Sequence, residues 1–313
     1  MGSPVPSFRR RGRITRFSVT LSHPVRPSRS AKGARMPSPR ISFRDRNVLV
    51  TGASSGIGRE TALAFAAAGA NVVLVARRPK VLASVATEAR KSGSQVLVAA
   101  ADVTKPVEVA RAFRNAVKRF GSVDIVVNNA GVLIPAEVAT MKDADLHSML
   151  DVNLFGALHV MQEAVRVMRK QGRGHIVNVA SLAGRRGLSP LGGYCASKFA
   201  LVGLTEALRT ELVGERIHVS MVLPGVVDTP MAAAATQDAE HGGFWPQALN
   251  MPPSWVVWSI FIAIRFRLAE VGVPPGSAML EKLAALAPGA TDALLRWASD
   301  AARRVGKPAR APR

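Results

Sequence analysis

Tyr194 and Lys198 stand four residues apart in Gly193-Tyr194-Cys195-Ala196-Ser197-Lys198, at the start of a strongly patterned helical stretch. At 3.6 residues per turn, positions i and i+4 share a helix face, so the phenol and the ammonium point the same way. That is an arrangement for proton transfer. A free phenol titrates near 10 and is a poor base at neutral pH, but a cation held close favours the phenolate and lowers that value. Taken alone, the same spacing equally describes an amphipathic helix with a surface lysine. Tyr194 is the only tyrosine of the chain and Cys195 the only cysteine. Neighbours on a helix diverge by about 100°, so Cys195 is read as a small packing residue. A single cysteine excludes an intramolecular disulfide and any multi-cysteine metal site, and no metal is expected.

The elements that would hold this pair are legible as an alternation. From Asn47 onward, short β-branched runs at Val48–Val50, Asn71–Val75, Gln95–Ala99, Asp124–Val127, His175–Val179 and Ile217–Val222 read as buried strands. Helical patterns over 57–69, 79–92, 106–120, 143–170 and 194–213 separate them. Nearly continuous apolar strands divided by helices predict an α/β fold, a doubly wound, Rossmann-like parallel sheet with helices on both faces, in one domain over 41–300. In such sheets ligands sit at the carboxyl ends of the strands. The loops that follow the strands are therefore where chemistry is expected.

Charge bounds the partners. The net charge is +21, but residues 1–40 hold ten Lys/Arg and 301–313 hold five, neither with any acid, which leaves +6 for the 260 residues between. The body is mildly basic, so a nucleic-acid surface is not expected. Residues 1–40 have the Ser, Pro and Arg composition of a disordered basic segment. A transit peptide and a basic arm for nucleic acid or membrane are alternatives there; the favoured reading is an over-long gene start, because Met36-Pro37-Ser38-Pro39-Arg40 leads directly into the first strand. Residues 301–313 form a basic tail. No apolar run approaches the roughly 20 residues needed to span a bilayer, no signal-peptide core is visible, and a cytoplasmic location is expected.

The loop after the first strand is Thr51-Gly52-Ala53-Ser54-Ser55-Gly56-Ile57-Gly58. Three glycines between a buried strand and a helix start permit a tight turn and close approach to a pyrophosphate, whose charge the helix N-terminus favours. A plain strand-to-helix turn would have the same composition. The second strand ends in Ala76, then Arg77 and Arg78, where an NAD site would place an acid for the ribose 2′-hydroxyl and an NADP site an arginine for the 2′-phosphate. This predicts NADP(H) in preference to NAD(H), with Arg77 the principal ligand and Arg78 assisting; two solvated arginines are the plainer alternative. Asp102, followed by Val103, either accepts from an adenine amine or caps the helix entered at Pro106. Asn129, Ala130 and Gly131 follow the fourth strand and suit close backbone approach to a ligand. Asn153 and Gly156 lie inside a predicted helix, where both are unfavourable; such a local fault often marks a functional position, the alternative being that Asn153 only caps or bends the helix. Ser181 ends the fifth strand on the same edge as the other loops, thirteen residues before Tyr194. Arg185 and Arg186 lie between them, and solvation is their default.

Thr51-Gly52-x3-Gly56-Ile57-Gly58, Asn128-Asn129-Ala130-Gly131, Asn153, Ser181, Tyr194-x3-Lys198 and Pro224-Gly225 with Thr229 together resemble the ordered motifs of the short-chain dehydrogenase/reductase family, over about residues 44–231. The resemblance implies a hydride transfer with NADP(H) that interconverts a carbonyl and a secondary alcohol of a small molecule. It implies that Tyr194 is the general acid or base, that Lys198 binds the nicotinamide ribose and lowers the tyrosine's pKa, that Ser181 holds the substrate oxygen, and that Asn153 orders a relaying water. It further implies that Pro224, Gly225, Val227 and Thr229 lie at the nicotinamide carboxamide, that 231–253 forms a variable substrate lid, and that dimers or tetramers form through 143–170 and 194–213. A non-catalytic nucleotide-sensing module that uses its basic tails is the alternative from another class. Trp255–Leu268 is apolar over most of its circumference: a helix buried against the sheet or at a subunit contact is expected, with a peripheral membrane helix as the alternative. Val271–Val273 reads as a last edge strand, and Leu280–Trp297 as a helical cap.

Overall fold

In a computed structural model of the chain, the described residues are 41–236, 250–277, 282 and 286–293. The basic segment 1–40, most of the expected lid (237–249), much of the expected cap and the tail 301–313 lie outside them.

Seven strands, β1 (Asn47–Thr51), β2 (Asn71–Ala76), β3 (Val96–Ala100), β4 (Ile125–Asn128), β5 (Gly174–Val179), β6 (Ile217–Pro224) and β7 (Glu270–Val273), form one parallel sheet in the order β3-β2-β1-β4-β5-β6-β7. Each strand is within about two residues of its predicted span, including the edge strand. Valines and leucines alternate between the faces: Val48 and Val50 face one core layer, Leu49 the other. Helices α1 (Gly56–Ala67), α2 (Pro79–Arg90) and α8 (Pro253–Phe266) cover the first face through Phe65, Leu82 and Ile260. Helices α3 (Pro106–Phe120), α5 (Ala157–Gln171) and α6 (Gly192–Glu211) cover the second through Phe113, Met168 and Leu201. Each such side chain, fully withdrawn from water, contributes about 1.5–3 kcal/mol.

One predicted helix resolves differently from expectation and another as expected. The stretch 143–170 is α4 (Asp143–Leu150), then a six-residue π-helical turn (Asp151–Gly156), then α5. A π turn widens the backbone by one residue and leaves it free to aim side chains out of α-helical register, and Asn153 sits inside it. The Trp255 stretch is α8, which buries Val256, Ile260, Phe261 and Ala263. Phe261 joins Phe43 and Phe65 in an aromatic triad with centroids 4.7–4.8 Å apart. That is the expected sheet-packed helix, and among the described residues no helix is long and apolar enough to cross a membrane. A short helix α7 (Pro230–Thr236) opens the region expected to be a lid.

Candidate active site

Strand order reverses between β1 and β4, and the crevice this opens at the carboxyl edge is the expected place for a ligand. Thr51, the last residue of β1, ties its two sides together. Its Oγ1 accepts from the backbone N–H groups of Asn129 at 2.9 Å and Ala130 at 3.0 Å, while Asn129 Nδ2 donates to Thr51 O at 3.0 Å. Asn128 continues the network inward: its Nδ2 donates to Ala157 O at 2.9 Å and to Asn178 Oδ1 at 3.1 Å, and Asn178 Nδ2 donates to Thr205 Oγ1 at 2.9 Å. Buried amides satisfied in this way fix β4, β5, α5 and α6 relative to one another.

Gly52 has φ +67°, a conformation costly for any residue with a Cβ. Gly58 has no such torsion; its need is space. A Cβ there would lie 2.4 Å from Gly52 O and 2.5 Å from Asn129 Nδ2. Gly58→Ala must therefore push the loop out of place, and overpacking of this kind costs about 1–3 kcal/mol. NADPH affinity, read by fluorescence titration, is expected to fall about 10- to 100-fold with the circular dichroism spectrum retained; wild-type affinity would show that the loop does not hold the nucleotide.

Most predicted nucleotide residues meet in one cleft. Gly52, Ser54, Ser55, Gly56 and Ile57 line it from the first loop, Arg77 and Arg78 from the end of β2, Asp102 and Val103 from the end of β3, Asn129, Ala130 and Gly131 from the end of β4, and Thr229 from the far side. Gly58 lies behind the loop it shapes. Pro224, Gly225 and Val227 do not line the cleft: Pro224 O accepts from Ser181 Oγ at 3.2 Å, Gly225 N–H donates to Val273 O at 2.8 Å, and Val227 is buried. Arg78 donates to Ser54 Oγ at 3.3 Å, whereas exposed Arg77 has no carboxylate partner among the described residues. Asp102 does not cap α3, whose N-cap is Lys105; its Oδ1 accepts from Thr104 N–H at 3.0 Å and Thr104 Oγ1 at 2.9 Å.

Beside the cleft stand the four residues expected to do chemistry. Asn153 is fully buried in the π turn and doubly tied to Val132: its Oδ1 accepts from Val132 N–H at 2.8 Å and its Nδ2 donates to Val132 O at 2.9 Å. The same Nδ2 also donates to Ser197 Oγ at 2.9 Å, and Ser197 in turn donates to Tyr194 O at 2.8 Å. Lys198 Nζ donates to Val179 O at 3.1 Å and lies 5.7 Å from the centre of the Tyr194 ring. The β4 loop closes the group, since a Cβ on Gly131 would fall 3.2 Å from Asn153 Oδ1 and 3.8 Å from Lys198 Nζ.

The electrostatics differ from the expected lowering of the phenol. Burial pushes the Tyr194 pKa up to about 12, with Ser181 acting against it, and burial pulls Lys198 down to about 8. Withdrawal from water penalises both ions, and in the chain by itself that penalty outweighs any help from the cation. Cys195 is buried, and burial raises its thiol pKa, consistent with a packing role. Arg185 and Arg186 are not simply solvated: Arg185 bridges Glu206 at 2.6 Å and Glu270 at 2.5 Å, and Arg186 pairs with Asp292. Thr51, Val132 and Ser197 were not singled out for the site from sequence. Ser197 alone carried a signal, as the polar residue between Tyr194 and Lys198. Among the described residues no cluster of His, Cys, Asp or Glu could hold a metal ion.

The short chain dehydrogenase family model matches residues 46–240. A 3-oxoacyl-(acyl-carrier-protein) reductase of Thermotoga maritima is 37% identical over 193 residues, which cover 62% of this chain and 78% of the relative. A short chain dehydrogenase/reductase of Burkholderia phymatum solved in complex with NAD superposes with a TM-score of 0.70 at 27% identity, covering 78% of this chain and 94% of that chain. A variant of actinorhodin polyketide ketoreductase solved with NADPH gives 0.67 at 30% identity, covering 75% and 98%. Motif order, sheet topology and these matches agree: the chain belongs to the short chain dehydrogenase family, oxidoreductases acting on alcohol and carbonyl groups.

Proposed function

We propose that the protein interconverts a carbonyl and a secondary alcohol of a small organic substrate with NADP(H), Tyr194 giving and taking the proton. The observation that carries this reading is the meeting of Ser181, Tyr194, Lys198 and Asn153 beside a cleft shaped by the β1 glycine loop. The residues fit the cofactor: the left-handed Gly52 and the crowded Gly58 leave backbone open to a pyrophosphate, and unpaired Arg77 stands where a 2′-phosphate needs a cation. When bound, NADP(H) supplies or takes up the hydride. Ser54, Ser55, Gly56 and Ile57 would hold its phosphates, Arg77 with Arg78 the 2′-phosphate, Asp102 and Val103 the adenine, Asn129 to Gly131 and Lys198 the riboses, and Thr229 the carboxamide end, with the carbonyl of Pro224 fixing Ser181 beside it.

In reduction, Ser181 Oγ holds the carbonyl oxygen and the Tyr194 hydroxyl gives it a proton. With a pKa near 12 the phenol is protonated at neutral pH, the form this step needs. Lys198, held by Val179 O, and Asn153, held by Val132, keep the polar wall behind Tyr194 in place for its reprotonation. In oxidation the phenol must first lose its proton, so that direction gains rate as pH rises. Exposed Phe155 and Phe199, on the π turn and α6, support assembly as a homo-oligomer through those elements. The lone buried cysteine fits a reducing compartment such as the cytoplasm.

Because relatives have been solved with either NAD or NADPH, selectivity rests on the end of β2. Arg77→Ala is expected to lower kcat/KM for NADPH about 10- to 100-fold, the loss of one charge-assisted contact, and to change that for NADH by less than about twofold. Equal losses with both cofactors would refute the NADP assignment.

A further inference from the structure

At the amino edge of the sheet, opposite the nucleotide cleft, lies a second cavity of about 510 Å³, within the range of small-molecule sites, about 300–1,000 Å³. Five arginines line it: Arg46, Arg173, Arg216, Arg265 and Arg267. Among the described residues only two carboxylates, Asp124 and Glu215, line it with them, and both are committed. Asp124 is buried and accepts from Asn47 N–H at 3.0 Å and Ser122 Oγ at 3.2 Å, with Arg173 at 3.4 Å and Arg46 at 3.8 Å. Glu215 is held in a fork by Arg169, at 2.7 and 3.1 Å. Arg216, Arg265 and Arg267 have no carboxylate partner among the described residues, and the 40 residues that precede Ile41 contain no acid at all.

The backbone adds an independent observation. Arg267 ends α8 in the left-handed region, φ +53°, where its N–H donates to Ala263 O. This is a position that favours glycine. A residue held there at a conformational cost points to a use for its side chain. His175 and His218, the second residues of β5 and β6, complete the wall, and burial, with the nearby Arg267 charge adding to it, holds both below their ordinary pKa. Beneath the arginines, Ile41, Phe43 and Ile264 supply an apolar floor.

We propose that this cavity is a binding site for a small phosphorylated organic anion, with Arg216 and Arg267 forking its phosphate and the Ile41, Phe43 and Ile264 floor receiving its apolar part. Guanidinium groups suit this ligand because their planar donors match phosphate oxygens two at a time. The apolar floor sets it apart from a site for inorganic phosphate alone.

The test is isothermal titration calorimetry of the full chain with phenyl phosphate, in excess NADPH so that the cofactor's own phosphate residues are engaged, against sodium chloride at matched ionic strength. Saturable binding of phenyl phosphate, tighter than that of inorganic phosphate, is expected. It should weaken at least tenfold in the Arg216→Ala/Arg267→Ala double variant and be unchanged in Arg77→Ala. Arg267→Gly guards against a folding artefact: it removes the guanidinium and relieves the left-handed strain, so binding should weaken while the melting temperature rises. No saturable heat beyond the chloride control, or binding that survives the double variant but is lost in Arg77→Ala, would overturn the proposal.

Discussion

Tyr194→Phe is expected to lower kcat by about 100- to 10,000-fold, the usual contribution of a positioned general acid, while NADPH affinity changes by less than about twofold. The substitution removes one oxygen and leaves the ring. Tyr194 is half-buried and packs against the cluster of Ala183, Leu191 and Cys195, so packing should hold, and Ser197 bonds the backbone carbonyl of Tyr194, which the change does not touch. What disappears is the hydroxyl, the group whose pKa Ser181 acts to lower. Loss of kcat with binding intact is the signature of an interaction made in the transition state. A parallel loss of NADPH affinity would instead assign Tyr194 a structural part in the nucleotide site.

The second large effect concerns folding. His175 is the second residue of β5 and is 6% exposed; its Nε2 lies 2.8 Å from Ser220 Oγ, whose own hydrogen goes to Leu268 O at 2.6 Å. Ser220 therefore accepts from a neutral imidazole. Burial, with His218 and Arg267 adding to it, lowers the His175 pKa to about 3. The unfolded chain takes up this proton near pH 6.5 and the folded chain only near 3, so the stability present above pH 6.5 is lost progressively as pH falls through that window. Between pH 7 and pH 4 the wild type is expected to lose about 3 kcal/mol more than His175→Gln, read from urea unfolding at each pH. Parallel pH profiles for the two proteins would show that His175 is not the group responsible.

His175 also illustrates what a sequence hides. On a strand it reads as one polar residue at the start of an apolar run, and only the tertiary structure puts Ser220 and Arg267, 45 and 92 positions away, beside it. The alternation of strands and helices needed no such information, because periods of 2 and 3.6 are local, and the strands came out within about two residues. Asn153 and Gly156 were visible as faults in a helix, yet the π turn that answers them was not, since it depends on Asn153 reaching Val132. Tyr194 and Lys198 were placed on one face correctly. Proximity of the phenol to a cation is legible in spacing, whereas the upward shift by burial in the chain by itself is a property of the packed site. Thr51 was read as a flank of the glycine motif, and its bonds to Asn129 and Ala130 cross 78 residues or more. The arginines of the amino-edge cavity come from four separate stretches of chain, none of them unusual alone.

The central claim is that Tyr194 moves the proton in an NADP(H)-dependent conversion of carbonyl to alcohol. Its most direct test is the loss of NADPH absorbance with a panel of ketones, aldehydes, quinones and 3-ketoacyl thioesters, run side by side for wild type and Tyr194→Phe. At least one carbonyl class should drive steady NADPH oxidation in the wild type and almost none in the variant. Equal rates in the two proteins, or no oxidation with any carbonyl by a wild type that binds NADPH, would contradict it.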